Sequence, residues 1–196
     1  MTEHAENPAL IAAQEAQRKI NEALDAGHSF RLEAGAGAGK TYSLVAALKR
    51  LIAERGPALV QAGQKVACIT YTEVARNEIA QEIEDHPAIL VNTIHGFSWG
   101  FLCQFQKALR DLVGEMEDRK EKVEQGGGIG LKPVDYNLGF FGVDMDRVTL
   151  SHDDIPEMMA KLLQKEKFRR ILSQQFPVIF IDEYQDTHRQ FMEAIT

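Results

Sequence analysis

Two short stretches carry residues whose types and spacing could do chemistry. The first, AGAGAGKT at residues 34–41, alternates alanine with glycine and ends in a lysine and a threonine. Glycine lets a loop bend so that successive backbone N–H groups face inward as a cradle for an anion. A helix opening directly after such a loop points its partial positive charge at the same place. Lys40 would then contact the β- and γ-phosphates of a nucleotide, and the Thr41 hydroxyl would ligate Mg2+. Ala34, Gly35, Ala36, Gly37, Ala38, Gly39, Lys40, Thr41 and the following Tyr42 are thus the expected nucleotide contacts. The usual pattern opens on glycine, where this chain has Ala34. The bland alternative is a flexible turn with an incidental Lys-Thr pair.

The second stretch is VIFIDEYQDT at residues 178–187. An apolar run leads into Asp182 and Glu183, which places both carboxylates at the carboxyl edge of a strand, where ligands of parallel sheets bind. Asp182 is positioned to hold Mg2+ through water, and Glu183 to orient or deprotonate the water that attacks a γ-phosphate. The competing reading is an acidic turn with Asp186 as the N-cap of the next helix. A glutamate there points to hydrolysis, because a kinase needs a base aimed at its acceptor.

The elements that must position these residues follow from periodicity. Residues 9–26 have helical spacing, and SFRLEA (29–34) alternates like a short strand leading into the glycine loop. A helix is expected from Thr41 to about Glu54, broken by Gly56-Pro57. KVACITYT (65–72) and AILVN (88–92) read as strands, with a helix between them at 74–83. One helix is expected to run from Ile94 through Ala108, and another from Ser151 to about Gln175. FPVIFID (176–182) is a continuous apolar strand. Strands alternating with helices imply an α/β fold, a parallel sheet with helices on both faces.

Composition narrows the class. The chain has 196 residues, 44% hydrophobic and 26% charged, with a formal net charge of -7. That charge argues against a polycation that coats nucleic acid, since phosphate neutralisation needs clustered Lys and Arg, although a local groove remains compatible. No apolar run approaches the ~20 residues needed to cross a bilayer, and the acidic start MTEHAENPAL is wrong for a secretory signal. Cys68 and Cys103 read as small buried thiols rather than a disulfide or metal pair, as suits a reducing cytoplasm.

AGAGAGKT and DEYQDT resemble the first and second signature motifs of superfamily I DNA helicases of the UvrD/Rep type. CITYTEVARNEIAQEI (68–83) resembles their motif Ia, VNTIHGFSWGFL (91–102) their motif Ib, and AAQEAQRKI (12–20) their adenine-reading glutamine motif. The resemblance implies a P-loop, RecA-like domain of the 1A type at 1–110 and 176–196, with a small, mostly helical 1B-like insertion at 111–175. It implies ATP and Mg2+ as cofactors, and Gln14 or Gln17 as the adenine contact, with Gln14 favoured. Catalysis would fall to Glu183 and Lys40, and the metal to Thr41 and Asp182. Single-stranded DNA would be the partner, tracked by Thr70, Tyr71, Thr72, Thr93, Ile94 and His95, with 3′-to-5′ polarity.

Each track residue also has a structural reading. Tyr71 offers a ring for base stacking, or a strand-end aromatic packed under a helix. His95 is either a DNA contact or a buried imidazole bonding a backbone carbonyl. Arg76 reads first as a solvated helix-face arginine, and Trp99 as packing. The family's motif Ib serine is replaced by Gly96. The sequence given stops at Thr196, before the family's motif III, second RecA-like domain and γ-phosphate arginines. The expectation is therefore an N-terminal piece of a longer helicase, completed by a 2A-type domain or by a partner supplying arginines. The alternatives are a regulatory ATP-binding module and an unrelated P-loop ATPase or kinase.

Overall fold

The computed structural model describes residues 8–33, 39–183 and 189–195. Among these residues the central sheet has three parallel strands, with β1 (Val66–Thr70) between β2 (Ile89–Thr93) and β6 (Val178–Ile181). All five residues of β1 are buried. A strand covered on both faces needs an unbroken apolar run rather than an alternation. The period of two survives in which core each side chain enters. Val66 and Cys68 join one cluster with Ile20, Leu48, Ile79 and Phe180. Ala67 and Ile69 join another with Phe97, Phe101, Met159 and Phe191.

The first core is covered by α1 (Pro8–Ala26), α2 (Lys40–Gln61) and α3 (Glu73–Glu82). The second is covered by α4 (Ile94–Leu102), α5 (Gln106–Gly114), α7 (Asp154–Leu163), α8 (Glu166–Gln175) and α9 (Arg189–Ile195). Between α5 and α7 lie α6 (Lys120–Gln125) and a small second sheet of β3 (Val134–Tyr136), β4 (Gly142–Val143) and β5 (Val148–Leu150). β5 is central there, parallel to β3 and antiparallel to β4. Val134, Val148 and Leu150 of this sheet are buried in the second core. Truncating a fully buried side chain of either core, such as Leu48, costs about 2–5 kcal/mol.

Four local expectations are corrected. Ser29 to Glu33 make no strand pairing. α2 runs through Gly56-Pro57 to Gln61. Gly56 there is a point of close approach and not a breaker, since a Cβ would meet His86 Cε1 at 3.2 Å. The helix ends instead at Gly63, whose φ of +66° suits a glycine terminator. The helix expected over 94–108 is two, parted at Phe105, where φ -118° and ψ 55° leave the helical region. The helix expected over 151–175 is likewise two. Arg169 donates from Nη1 to the carbonyls of Leu163 at 2.8 Å and Gln164 at 3.1 Å, closing α7 while α8 begins. The small sheet is an addition to the expected helical insertion.

Candidate functional site

The carboxyl ends of the three main strands lie side by side. Thr70 pairs with Thr93, Ile69 pairs with Ile181, and the Asp182 N–H donates to the Ile69 carbonyl at 2.8 Å. Three segments far apart in sequence therefore meet at one edge: Thr70–Thr72, Thr93–His95 and Asp182–Glu183.

The start of α2 faces the same edge. Gly39 precedes it with φ 78° and ψ 21°, a left-handed conformation that glycine adopts without penalty. Lys40 and Thr41 then open the helix, and the Ser43 N–H donates to the Gly39 carbonyl at 2.9 Å. Lys40 acts electrostatically on Asp182. Burial pushes the Asp182 carboxyl above its usual range, and the Glu183 carboxylate pushes it the same way. A backbone hydrogen bond at Glu183 and the Lys40 ammonium pull it back. The Cys68 thiol, beneath the same carboxylate, is pushed up to about 12 by burial first and by Asp182 second. It is an inert core thiol, while the half-buried Cys103 is also free.

Glu183 sits at φ 51°, uncommon for a residue with a side chain. Held strain of this kind clusters at functional sites. Two crowded carboxylates beside an ammonium and a helix N-terminus form a donor set for a divalent cation and a polyphosphate. Among the described residues no three His, Cys, Asp or Glu side chains gather as a metal cage. A hard cation shared between few carboxylates and substrate phosphates is the Mg2+ pattern. The stretch 34–38 lies outside the described residues, so Ala34, Gly35, Ala36, Gly37 and Ala38 receive no placement. The same holds for 184–188, including Asp186.

A groove of about 780 Å3 opens beside Thr41 and Tyr42, between α2 and α3. Glu78, Glu82 and Glu84 line it, and Lys49 spends its ammonium on Glu82 at 2.9 Å. That charge repels a triphosphate. The candidate site is the strand edge.

Of the glutamines on α1, Gln14 is exposed and Gln17 half-buried. Gln17 donates from Nε2 to Asn21 Oδ1 at 3.4 Å, while its buried Oε1 has no hydrogen-bond partner among the described residues. An orphaned buried acceptor is costly unless a ligand donates to it.

The six expected track residues divide. Thr70 is 1% exposed and its hydroxyl donates to the Thr72 carbonyl at 3.1 Å; Ile94 is also buried. Contacts from these two would come from the main chain. Tyr71 is 57% exposed, so its ring is not packed under a helix. Thr72 Oγ1 accepts from the Ala75 N–H at 3.1 Å and caps α3. Thr93 Oγ1 accepts from the Gly96 N–H at 3.2 Å and caps α4. A capping hydroxyl keeps its own proton to donate. His95 is half-buried and stacks on His152, ring centroids 3.4 Å apart. Arg76 is paired with Glu73 at 3.3 Å on the α3 surface.

Asn92 is a residue that motif reading misses. Its Oδ1 accepts from the Thr93 N–H at 2.9 Å, and a Cβ at Gly96 would lie 2.2 Å from that same oxygen. A serine at 96 would have to displace the Asn92 amide. Tyr136 and His152 were also silent, since neither lies in a recognisable motif.

A family model described as an AAA domain matches residues 16–196. The chain belongs to the AAA domain family. It is also similar to the Gabija protein GajB of Bacillus cereus (strain HuB5-5), 25% identical over 265 aligned residues. That alignment covers 89% of this chain and 39% of GajB, so the AAA chain spans about two-fifths of its relative's length. Together with the parallel sheet flanked by helices, these matches make it an ATP-binding, helicase-like P-loop domain. The UvrD/Rep resemblance is the finer reading. Among the described residues no helix is long and apolar enough to cross a membrane.

Proposed function

We propose that this AAA domain is the ATP-binding part of a DNA translocase of UvrD/Rep type, binding Mg-ATP at the strand edge and single-stranded DNA beside it. The observation that supports this reading is the meeting of Thr70, Thr93 and Asp182 at one strand edge. There the Asp182 N–H donates to the Ile69 carbonyl at 2.8 Å, and the Lys40 ammonium lowers the proton affinity of the carboxyl. A lysine able to bind phosphate and a carboxylate able to bind metal, close together, are what a Mg-nucleotide site needs.

The roles follow from chemistry. Gly39, Lys40 and Thr41 hold the phosphates, with the Lys40 ammonium on their oxygens. The Thr41 hydroxyl and the Asp182 carboxylate hold Mg2+, which neutralises charge on the phosphates when bound. Glu183 takes a proton from the attacking water or holds its orientation. Gln17, rather than the exposed Gln14, receives the adenine amino group on its orphaned Oε1. Tyr71, Thr72, Thr93 and His95 form the nucleic-acid edge. The arginines that stabilise charge on the γ-phosphate come from a second domain or a partner; contributions of that type reach about 10³–10⁵-fold. GajB, of which the chain spans 39%, has room for such a domain. The 3′-to-5′ direction is carried over from the resemblance alone.

The experiment is ATP hydrolysis by the complete enzyme with and without single-stranded DNA. Stimulation by DNA that disappears in Asp182→Asn is the expected result. Hydrolysis indifferent to DNA would remove the translocase reading and leave the nucleotide site standing.

A further inference from the structure

Four aromatic rings close a circuit between α4 and the small sheet. His95 and Trp99 stand four residues apart on α4, on the same helical face. His95 stacks on His152, centroids 3.4 Å apart and planes 15° from parallel. Trp99 leans on Tyr136 at 5.7 Å. Tyr136 Oη and His152 Nδ1 share a hydrogen bond of 2.7 Å, which completes the ring of contacts.

The backbone beside His152 is pinned as well. Asp154, 3% exposed, accepts from the Ser151 N–H at 2.7 Å and from the Ser151 hydroxyl at 2.6 Å. Its other oxygen accepts from Arg119 Nη2 at 3.1 Å. The backbone at Ser151 is therefore held by a buried carboxylate, and the His152 ring itself by the Tyr136 phenol. Such an arrangement holds a ring in one plane more firmly than packing alone.

His95 lies two residues after Thr93, at the edge where Thr70, Thr93 and Asp182 converge. An imidazole N–H donating to a phosphate oxygen needs a fixed direction, and a flat partner at 3.4 Å supplies one. We infer that His152, clamped by Tyr136, is a positioning residue that holds His95 for contact with single-stranded nucleic acid. The insertion thereby becomes part of the nucleic-acid site without touching the strand. This inference rests on the reading of His95 as a nucleic-acid contact.

The test is binding of fluorescein-labelled oligo(dT) to the full chain at low salt, by anisotropy. His95→Ala should weaken binding about tenfold, the size of one lost hydrogen bond to a charged oxygen. His152→Ala should weaken it by a similar factor. The double variant should be no weaker than His95→Ala, because both changes remove one contact. His152→Phe keeps a flat ring against His95 and should restore most of the affinity, which a general loss of fold does not predict. It also keeps the test alive if His152→Ala fails to fold.

Wild-type affinity in His152→Ala alongside a weakened His95→Ala would overturn the positioning role, as would additive losses in the double variant. A folded His152→Phe as weak as His95→Ala would do the same. No oligo(dT) binding by the wild type, or no effect of His95→Ala, would instead overturn the underlying reading of this edge.

Discussion

The Lys40 ammonium, at the first residue of α2, draws down the proton affinity of the Asp182 carboxyl at the tip of β6, against burial and Glu183, which both raise it. Two residues from opposite ends of the chain thus share one electrostatic environment. The sheet makes this possible, because β6 pairs directly with β1 and delivers Asp182 to the same edge.

Lys40→Ala should weaken Mg-ATP and Mg-ADP binding about 10–100-fold, the worth of a lost charge-assisted contact to phosphate. Titration calorimetry on the two proteins checks this. Equal affinities would remove Lys40 from the site.

Asp182→Asn should stabilise the nucleotide-free chain at neutral pH while abolishing the Mg2+ dependence of nucleotide binding. Burial, with Glu183 second, holds the Asp182 carboxyl above its ordinary value of 3.8. The folded state then binds its proton more tightly than the unfolded state. That contribution to stability is fully present below about the ordinary value and is lost as pH rises through the raised one. The asparagine removes this loss, so its thermal advantage at pH 7 should shrink as pH falls through the carboxylate range. A gap between the melting temperatures that stays constant with pH would contradict the assignment.

Glu183→Gln should leave nucleotide affinity intact and lower turnover in the complete enzyme by about 10²–10⁴-fold, the usual share of a general base. Binding and steady-state hydrolysis measured on the same preparation separate the two effects. Undiminished turnover would take Glu183 out of the chemistry.

Gln17→Ala should erase discrimination between ATP and GTP, whereas Gln14→Ala should not. One net hydrogen bond corresponds to roughly tenfold in affinity. Because Gln17 Oε1 has no partner among the described residues, its removal should cost little stability. Nucleotide competition assays would show the opposite pattern if Gln14 were the adenine contact.

Gly96→Ser should destabilise the chain by about 1–3 kcal/mol through overpacking against Asn92. Combining it with Asn92→Ala should cost less than the two single losses summed. Urea denaturation of the four proteins gives the cycle, and strict additivity would show that the two positions do not compete for space.

Legibility differed by element, for physical reasons. β1 and β6 are readable because strands covered on both faces must be apolar throughout. Their parallel direction follows from the helices between strands, whereas the pairing of β6 with β1 is a tertiary outcome. That Asp182 and Glu183 follow the last strand was legible from the apolar run before them, and the structure puts both just beyond Ile181. Gly56-Pro57 misleads because composition cannot reveal that His86 closes on Gly56 from another part of the chain. The break at Phe105 and the cap from Arg169 are likewise set by tertiary contacts, which periodicity does not encode. β3, β4 and β5 span only two or three residues each, too short for an alternation to register. The partnership of His95 with His152 joins residues with no local signal between them.

The crowding between position 96 and the Asn92 amide also bears on history. A lineage passing between the family's serine and this chain's glycine could not have changed the two positions in either order with equal ease. Starting from serine, the easier path takes glycine first, opening the room that asparagine then occupies; on the return path, it is easier for asparagine to leave before a side chain arrives. Homologues carrying both bulky residues should therefore be rare, and sequences caught midway should pair glycine at 96 with a small residue at 92.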